Sequence, residues 1–236
     1  MMYKNALPAM LSALLFGSLF AMPATSADDA PAITRRDLLV STNNLKQIVL
    51  AFHVNNDANG SLPGNILDKD GKPLLSWRVA ILPYVEEGPL FMQFKMDEPW
   101  DSPNNKKLIE KMPKLYAPVR VKAKAGETFY QTFTGKGTIW VDHKPRYIVG
   151  NIPDGTSNTG FVFEAGEPVI WSKPADLVFD KDKPLPKLGG LFDGECHVGM
   201  GDGSVIFLKK DPDEKELKNL IVPDDGNVID FKKLKK

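Results

Sequence analysis

The sequence predicts an α+β domain, and three observations carry that prediction. A long stretch from Thr34 to about Asn55 repeats apolar residues at helical spacing, with Leu38, Leu45, Ile48, Val49 and Phe52 on one face. The second half of the chain is built from short runs rich in aromatic, Val and Thr residues, the composition of strands. Pro-rich stretches and Asp-Gly turns separate these runs, and no internal repeat or clear linker breaks the chain into parts. Composition narrows the function. The 236 residues carry 30 basic and 30 acidic side chains, which argues against a protein that grips nucleic acid by bulk charge. One cysteine excludes an intrachain disulfide framework and any Cys-rich metal site. An apolar fraction of 42 % is enough for a packed core and too high for a disordered chain.

Taken in order, residues 1–27 have the layout of a signal peptide. Lys4 is their only charge, Ala6 to Met22 are mostly Ala, Leu, Met and Phe, and Pro23-Ala24-Thr25-Ser26-Ala27 offers a small-residue cleavage site. The apolar stretch is short for a membrane span, which needs about 20 residues. Cleavage after Ala27 is expected to leave 29 basic and 30 acidic side chains, a formal charge of −1, with no stable membrane anchor. Residues 28–33 read as a leader, 34–231 as a single domain and 232–236 as a solvated basic tail.

Thr34-Arg35-Arg36-Asp37 fits a capping box at the start of the first helix. Asn43, Asn44, Lys46 and Gln47 fall mainly on the side away from the apolar stripe, so the helix needs a sheet as partner. It is expected to fade near Asn55, before the turn formers Asn56 to Gly60. Asp68-Lys69-Asp70-Gly71 reads as a turn. Ser76 to Leu82 begins a short helix stopped near Pro83, and Asn104 to Lys111 a further one, capped by Asp101 or Ser102. Strands are predicted at Phe129–Phe133, Thr138–Val141, Arg146–Val149, Phe161–Glu164, Val169–Trp171 and Val205–Leu208, with a closing helix from Asp213 to Leu220.

Six segments in the same order resemble a known family. They are Ser41-Thr42-Asn43-Asn44-Leu45-Lys46-Gln47-Ile48, Ser76-Trp77-Arg78-Val79, Leu82-Pro83-Tyr84, Asp97 to Asn105 around Trp100, Asp154-Gly155-Thr156-Ser157-Asn158-Thr159, and Gly201-Asp202-Gly203-Ser204-Val205. Together they resemble the planctomycete pseudopilin-like family of unknown function, from roughly Arg36 to Ile221. The resemblance implies a pilin-like domain, one helix laid on an antiparallel sheet, with a structural role at the cell surface or envelope and no catalysis. The chain departs from the family pattern in four ways. An ordinary signal peptide replaces the prepilin junction and the apolar half-helix. Ser41 and Ala117 stand where family members often carry two cysteines, so the resemblance implies a lost disulfide and a helix tethered by packing alone. The family's C-terminal His-x9-Asp-Gly signature keeps Asp202 and Gly203 but has Phe192 in place of its His.

The remaining candidates for chemistry are weak as patterns. Cys196 and His197 are neighbours, and neighbours on a strand point to opposite faces, so they do not form a ready dyad. His53, His143 and His197 lack zinc-ligand spacing, and His53 near the end of the first helix is explained by the helix dipole. Asp68-Lys69-Asp70-Gly71 and Asp180-Lys181-Asp182 resemble calcium loops but lack the acid at the twelfth position, which excludes an EF-hand. The resemblance leaves a calcium site of another kind open beside the simpler reading as turns. Trp77, Trp100, Trp140 and Trp171 suit either a core or a glycan platform. The expectation is therefore an exported, non-enzymatic structural or interaction protein of the envelope with no cofactor, acting through protein partners or self-association. Asn43, Asn44, Leu45, Lys46, Trp77, Trp100, Asp154, Gly155, Asp202 and Gly203 are expected to carry structure rather than catalysis. A binding module for a glycan, peptide or calcium, or an unrecognised hydrolase, is the alternative.

Overall fold

A computed structural model of the chain describes residues 32–236. The signal-peptide reading of residues 1–27 and most of the leader lie outside the described residues.

Helix α1 spans Arg35–Asn59. The Thr34 hydroxyl accepts from Asp37 N at 3.1 Å, and the Asp37 carboxylate accepts from Thr34 N at 2.9 Å, closing a capping box. The helix runs on past Asn55, because Asn55 is buried and turns its side-chain amide to Ser61 O, at 2.8 Å. Gly60 then ends it in the left-handed conformation, φ 71°, with its N–H on Asn56 O. His53 therefore lies inside the helix, where Nε2 sits 2.8 Å from Gly201 O, and the helix-end explanation for it fails. Asn44 is also corrected: it is buried on the inner face, while Asn43, Lys46 and Gln47 are exposed.

Strands β1 (Ile66–Leu67) and β2 (Pro73–Leu75) form a small hairpin around the Asp68 turn, which sequence periodicity missed because so few residues alternate. Helix α2 is Trp77–Ala80, capped by Ser76. A 3-10 turn, Leu82–Tyr84, continues through Pro83, which sits at an opening position where its missing N–H costs nothing. Helix α3 follows at Gly88–Phe91. The segment Asn105–Lys111 is a 3-10 helix, and Ser102 rather than Asp101 caps it, accepting from Asn105 N at 3.1 Å. Buried Asn105 donates to the carbonyls of Lys95, Glu98 and Pro99, stitching the Trp100 loop together.

The remaining strands are β3 (Glu127–Gln131), β4 (Phe133–Thr134), β5 (Trp140–Val141), β6 (Lys144–Pro145), β7 (Gly160–Ile170), β8 (Leu177–Val178), β9 (Cys196–Met200) and β10 (Val205–Leu208). The main sheet is antiparallel in the order β10-β9-β7-β3, and a smaller mixed sheet runs β6-β5-β4-β8. Two sequence expectations fail here. Arg146–Val149 is not a strand: Arg146 and Tyr147 engage Asp224 instead, and Val149 N bonds the Asn56 side chain. Phe161–Glu164 and Val169–Ile170 are parts of one strand, β7, but its register on β3 shifts between them, so residues 165–168 bulge towards the Leu188 segment, and Trp171 lies just past its end. A Cβ at Gly166 would lie 2.8 Å from the Lys187 carbonyl, so glycine is there for close approach, not for a turn.

α1 lies across β9 and β7 on one face of the main sheet. Gly199 makes the contact flush, since a Cβ there would meet Val49 at 2.9 Å. On the other face Cys196, Val198 and Met200 pack with Phe163 of β7 and with Leu217, Leu220 and Ile221 of helix α4 (Glu214–Ile221). In residues 232–236 the four lysines are exposed, while helix α5 (Phe231–Leu234) anchors the segment through Leu234. Leu234 is fully buried, Lys209 N bonds Leu234 O at 2.9 Å, and Lys236 Nζ pairs with Glu195 at 2.7 Å. The described chain is thus an α+β domain, and among the described residues no helix is long and apolar enough to cross a membrane.

Candidate functional site

Two buried polar centres hold the fold's unusual chemistry, one on each side of Tyr130. The first joins Ser41 of α1, Glu164 of β7 and His197 of β9. The strand alternation that sends Cys196 to the α4 side sends His197 to the α1 side, where it meets Ser41. The Ser41 hydroxyl donates to Glu164 Oε1 and lies 2.9 Å from His197 Nδ1. His197 N donates to Glu164 Oε2 at 2.9 Å, and His197 Nδ1 stands 3.6 Å from Oε1. Phe192 stacks on the imidazole at 4.4 Å between ring centroids, and Phe207 meets it edge-on at 4.5 Å. The three polar side chains are 0 %, 0 % and 1 % exposed.

Burial sets the charges of this centre. It pushes the Glu164 carboxyl from 4.5 up to about 8, against the pull of the Ser41 and His197 N–H bonds. It also holds His197 down at about 4. At neutral pH both are uncharged, so His197 and Glu164 form a neutral pair bridged by the Ser41 hydroxyl rather than an ion pair. The thiol of Cys196 is pushed up by the same burial, with its Sγ on Glu164 O, which makes it a poor nucleophile. In a hydrolytic relay the imidazole stands between hydroxyl and acid. Here the hydroxyl stands between acid and imidazole, and all three side chains are buried.

The second centre explains the Ser76-Trp77-Arg78 segment. The Arg78 guanidinium is fully buried and donates to Tyr130 O, to Ser76 Oγ and to Asp176 Oδ1, the last at 2.8 Å. Asp176 Oδ1 also accepts from Trp77 Nε1 and Thr132 N, both at 3.0 Å. Tyr130 bridges the centres, since Arg78 holds its carbonyl and Asn44 reaches its hydroxyl at 3.3 Å.

The residues singled out from sequence disperse among structural roles. Asn43 and Lys46 are exposed, Leu45 is core, and Trp100 is half-buried with Lys173 over its ring. Asp154 accepts from the N–H groups of Asp225 and Gly226, locking one loop on another. Gly155, Gly203 and their neighbours form tight turns with φ of 88° and 85°, and Asp202 accepts from Ser204 N. Trp77, Trp140 and Trp171 are buried with their indole N–H groups bonded to Asp176, Pro63 O and Ile109 O, so the glycan platform is not assembled. His143 sits on Asn65, far from the other two histidines in role. Asp68 and Asp180 spend carboxylate oxygens on their own turns, and Asp180 also pairs with Lys183. The Asp180 turn rims an open groove of about 850 Å³ shared with Lys136, Val178 and Val222. Sequence reasoning missed Ser41 and Glu164. One signal was available: Glu164 closes the apolar run Phe161-Val162-Phe163, which places a carboxyl in a buried strand.

The fold and its closed centres define an α+β domain organised around buried polar clusters. Residues 39–144 match the family described as "Protein of unknown function (DUF1559)". No curated protein and no solved structure matches the chain.

Proposed function

We propose that this protein is an exported, non-enzymatic structural or interaction module of the cell envelope, pilin-like in its globular part. The observation that carries the reading is the closure of the Ser41–Glu164–His197 centre. It brings together a hydroxyl, an imidazole and a carboxyl, yet all three are sealed under α1. A helix laid flush across a four-stranded antiparallel sheet supports the pilin-like part, and the layout of residues 1–27 supports export. Such a domain acts by presenting surfaces, with the buried centres serving to hold α1 on its sheet.

Two measurements test this. Cell fractionation is expected to place the protein in the envelope or medium with an N-terminus at Asp28; a chain confined to the cytoplasm would refute export, and a retained Met1 would refute cleavage after Ala27. Incubation with a fluorophosphonate probe followed by peptide mass mapping is expected to leave Ser41 unmodified. A phosphonylated Ser41 would show an accessible, activated nucleophile and sink the non-enzymatic reading.

A further inference from the structure

We propose that the outer face of α1 is a self-association surface on which two copies of this chain pair antiparallel, helix against helix. This rests on the interaction reading above and names its partner. Leu39, Leu50 and Val54 are 52 %, 62 % and 41 % exposed on a helix whose opposite face is fully buried. At 3.6 residues per turn they fall with Arg36, Asn43, Lys46 and Asp57, all exposed, within an arc of about 80°. Leu39 and Val54 lie about 22 Å apart along the axis.

The charges on this face say which way a partner lies. Arg35 and Arg36 open the helix, and Asp57 stands in its last turn. Antiparallel pairing that sets Leu39 against the partner's Val54 sets Arg36 beside the partner's Asp57, and Asn43 against the partner's Leu50. A two-fold axis between Lys46 and Gln47 makes every such contact occur twice, as an isologous interface requires. Parallel pairing in register would instead oppose Arg36 to Arg36 and Asp57 to Asp57. Lys46 comes near its own copy beside the axis and can extend its ammonium to water. The main sheet offers less to a partner strand. Arg78 occupies the outward carbonyl of Tyr130 on β3, and the C-terminal segment covers β10, with Lys236 N on Phe207 O. One helix pair buries less than the ~800 Å² per partner of a standard interface, so the dimer is reversible and concentration-dependent.

Sedimentation velocity on the purified protein across the micromolar range tests this. The dimer fraction should rise with concentration. Leu50→Glu and Asp57→Arg should each weaken association at least tenfold with the far-UV circular dichroism unchanged, and Arg36→Asp combined with Asp57→Arg should restore it. A mixture of Arg36→Cys and Asp57→Cys chains should form a disulfide faster than either alone, because this pairing sets position 36 beside the partner's position 57, while native Cys196 is buried and stays out of the reaction. A monomer at every concentration, a dimer indifferent to Leu50→Glu and Asp57→Arg, or faster disulfide formation in Arg36→Cys alone would each overturn the proposal. Envelope location is read separately by fractionation, so a correctly located monomer sinks this inference and leaves the function above standing.

Discussion

Raising the pH from 6.5 to 8 should destabilise the fold by about 2 kcal/mol through Glu164. In the folded chain burial lifts this carboxyl from 4.5 to about 8 and lowers His197 from 6.5 to about 4. The unfolded chain keeps the ordinary values. Between about pH 4.5 and 6.5 the folded pair holds one proton, on Glu164, and the unfolded pair holds one, on the imidazole, so their contribution is flat with pH. Above 6.5 the unfolded pair holds none while the folded pair keeps the Glu164 proton, so stability falls as pH rises until ionisation near 8. The slope is one proton's worth, ~1.4 kcal/mol per pH unit, or about 2 kcal/mol over about 1.5 units. Below about 4.5 the unfolded pair holds two protons against one, and stability falls towards acid. Urea denaturation from pH 5.5 to 8.5, followed by tryptophan fluorescence, reads the effect, since three of the four tryptophans are buried. Glu164→Gln mimics the protonated acid and should be flat between pH 6.5 and 8. Parallel curves for the two proteins across that window would refute the neutral-pair assignment.

Arg78→Met should cost about 3–5 kcal/mol, because Asp176 is left buried and unpaired; thermal unfolding checks it, and adding Asp176→Leu should recover part of the loss. Gly199→Ala should cost about 1–3 kcal/mol by pushing Val49 and α1 off β9, read from the urea midpoint, whereas a neutral effect would mean the helix is not seated on that glycine. Deleting Phe231–Lys236 should expose the β10 edge and the socket of Leu234, so that light scattering on warming rises with protein concentration; an unchanged profile would show that the segment protects nothing.

The sequence was most legible where the controlling interactions are local. The capping box of α1 needs only Thr34 and Asp37, and the Asp202 turn only Asp202, Gly203 and Ser204. Strand β10 shows because four residues follow a clear turn. Legibility failed where a distant partner decides. Asn55 looks like a helix stop until Ser61 takes its amide, and Phe161–Glu164 and Val169–Trp171 look like two strands until the Lys187 backbone is placed beside Gly166. The basic residues at 232–236 mask Leu234, whose burial fixes the segment against β10. The site was least legible of all. Ser41, Glu164 and His197 are 123, 156 and 33 positions apart in their pairs, so no spacing could reveal them.

By itself the sequence determined an α+β chain, a capped first helix with one apolar stripe, turns at Asp-Gly steps, and a balanced charge with a single cysteine. Those properties depend on neighbours within a few residues or on composition alone. Only the tertiary structure decided that Ser41 faces Glu164 and His197, that Phe192 lies on that imidazole, and that Arg78 is neutralised by Asp176. Burial then turned two ordinary titrating side chains into a neutral pair, because the cost of an ion depends on what surrounds it and not on where it stands in the chain.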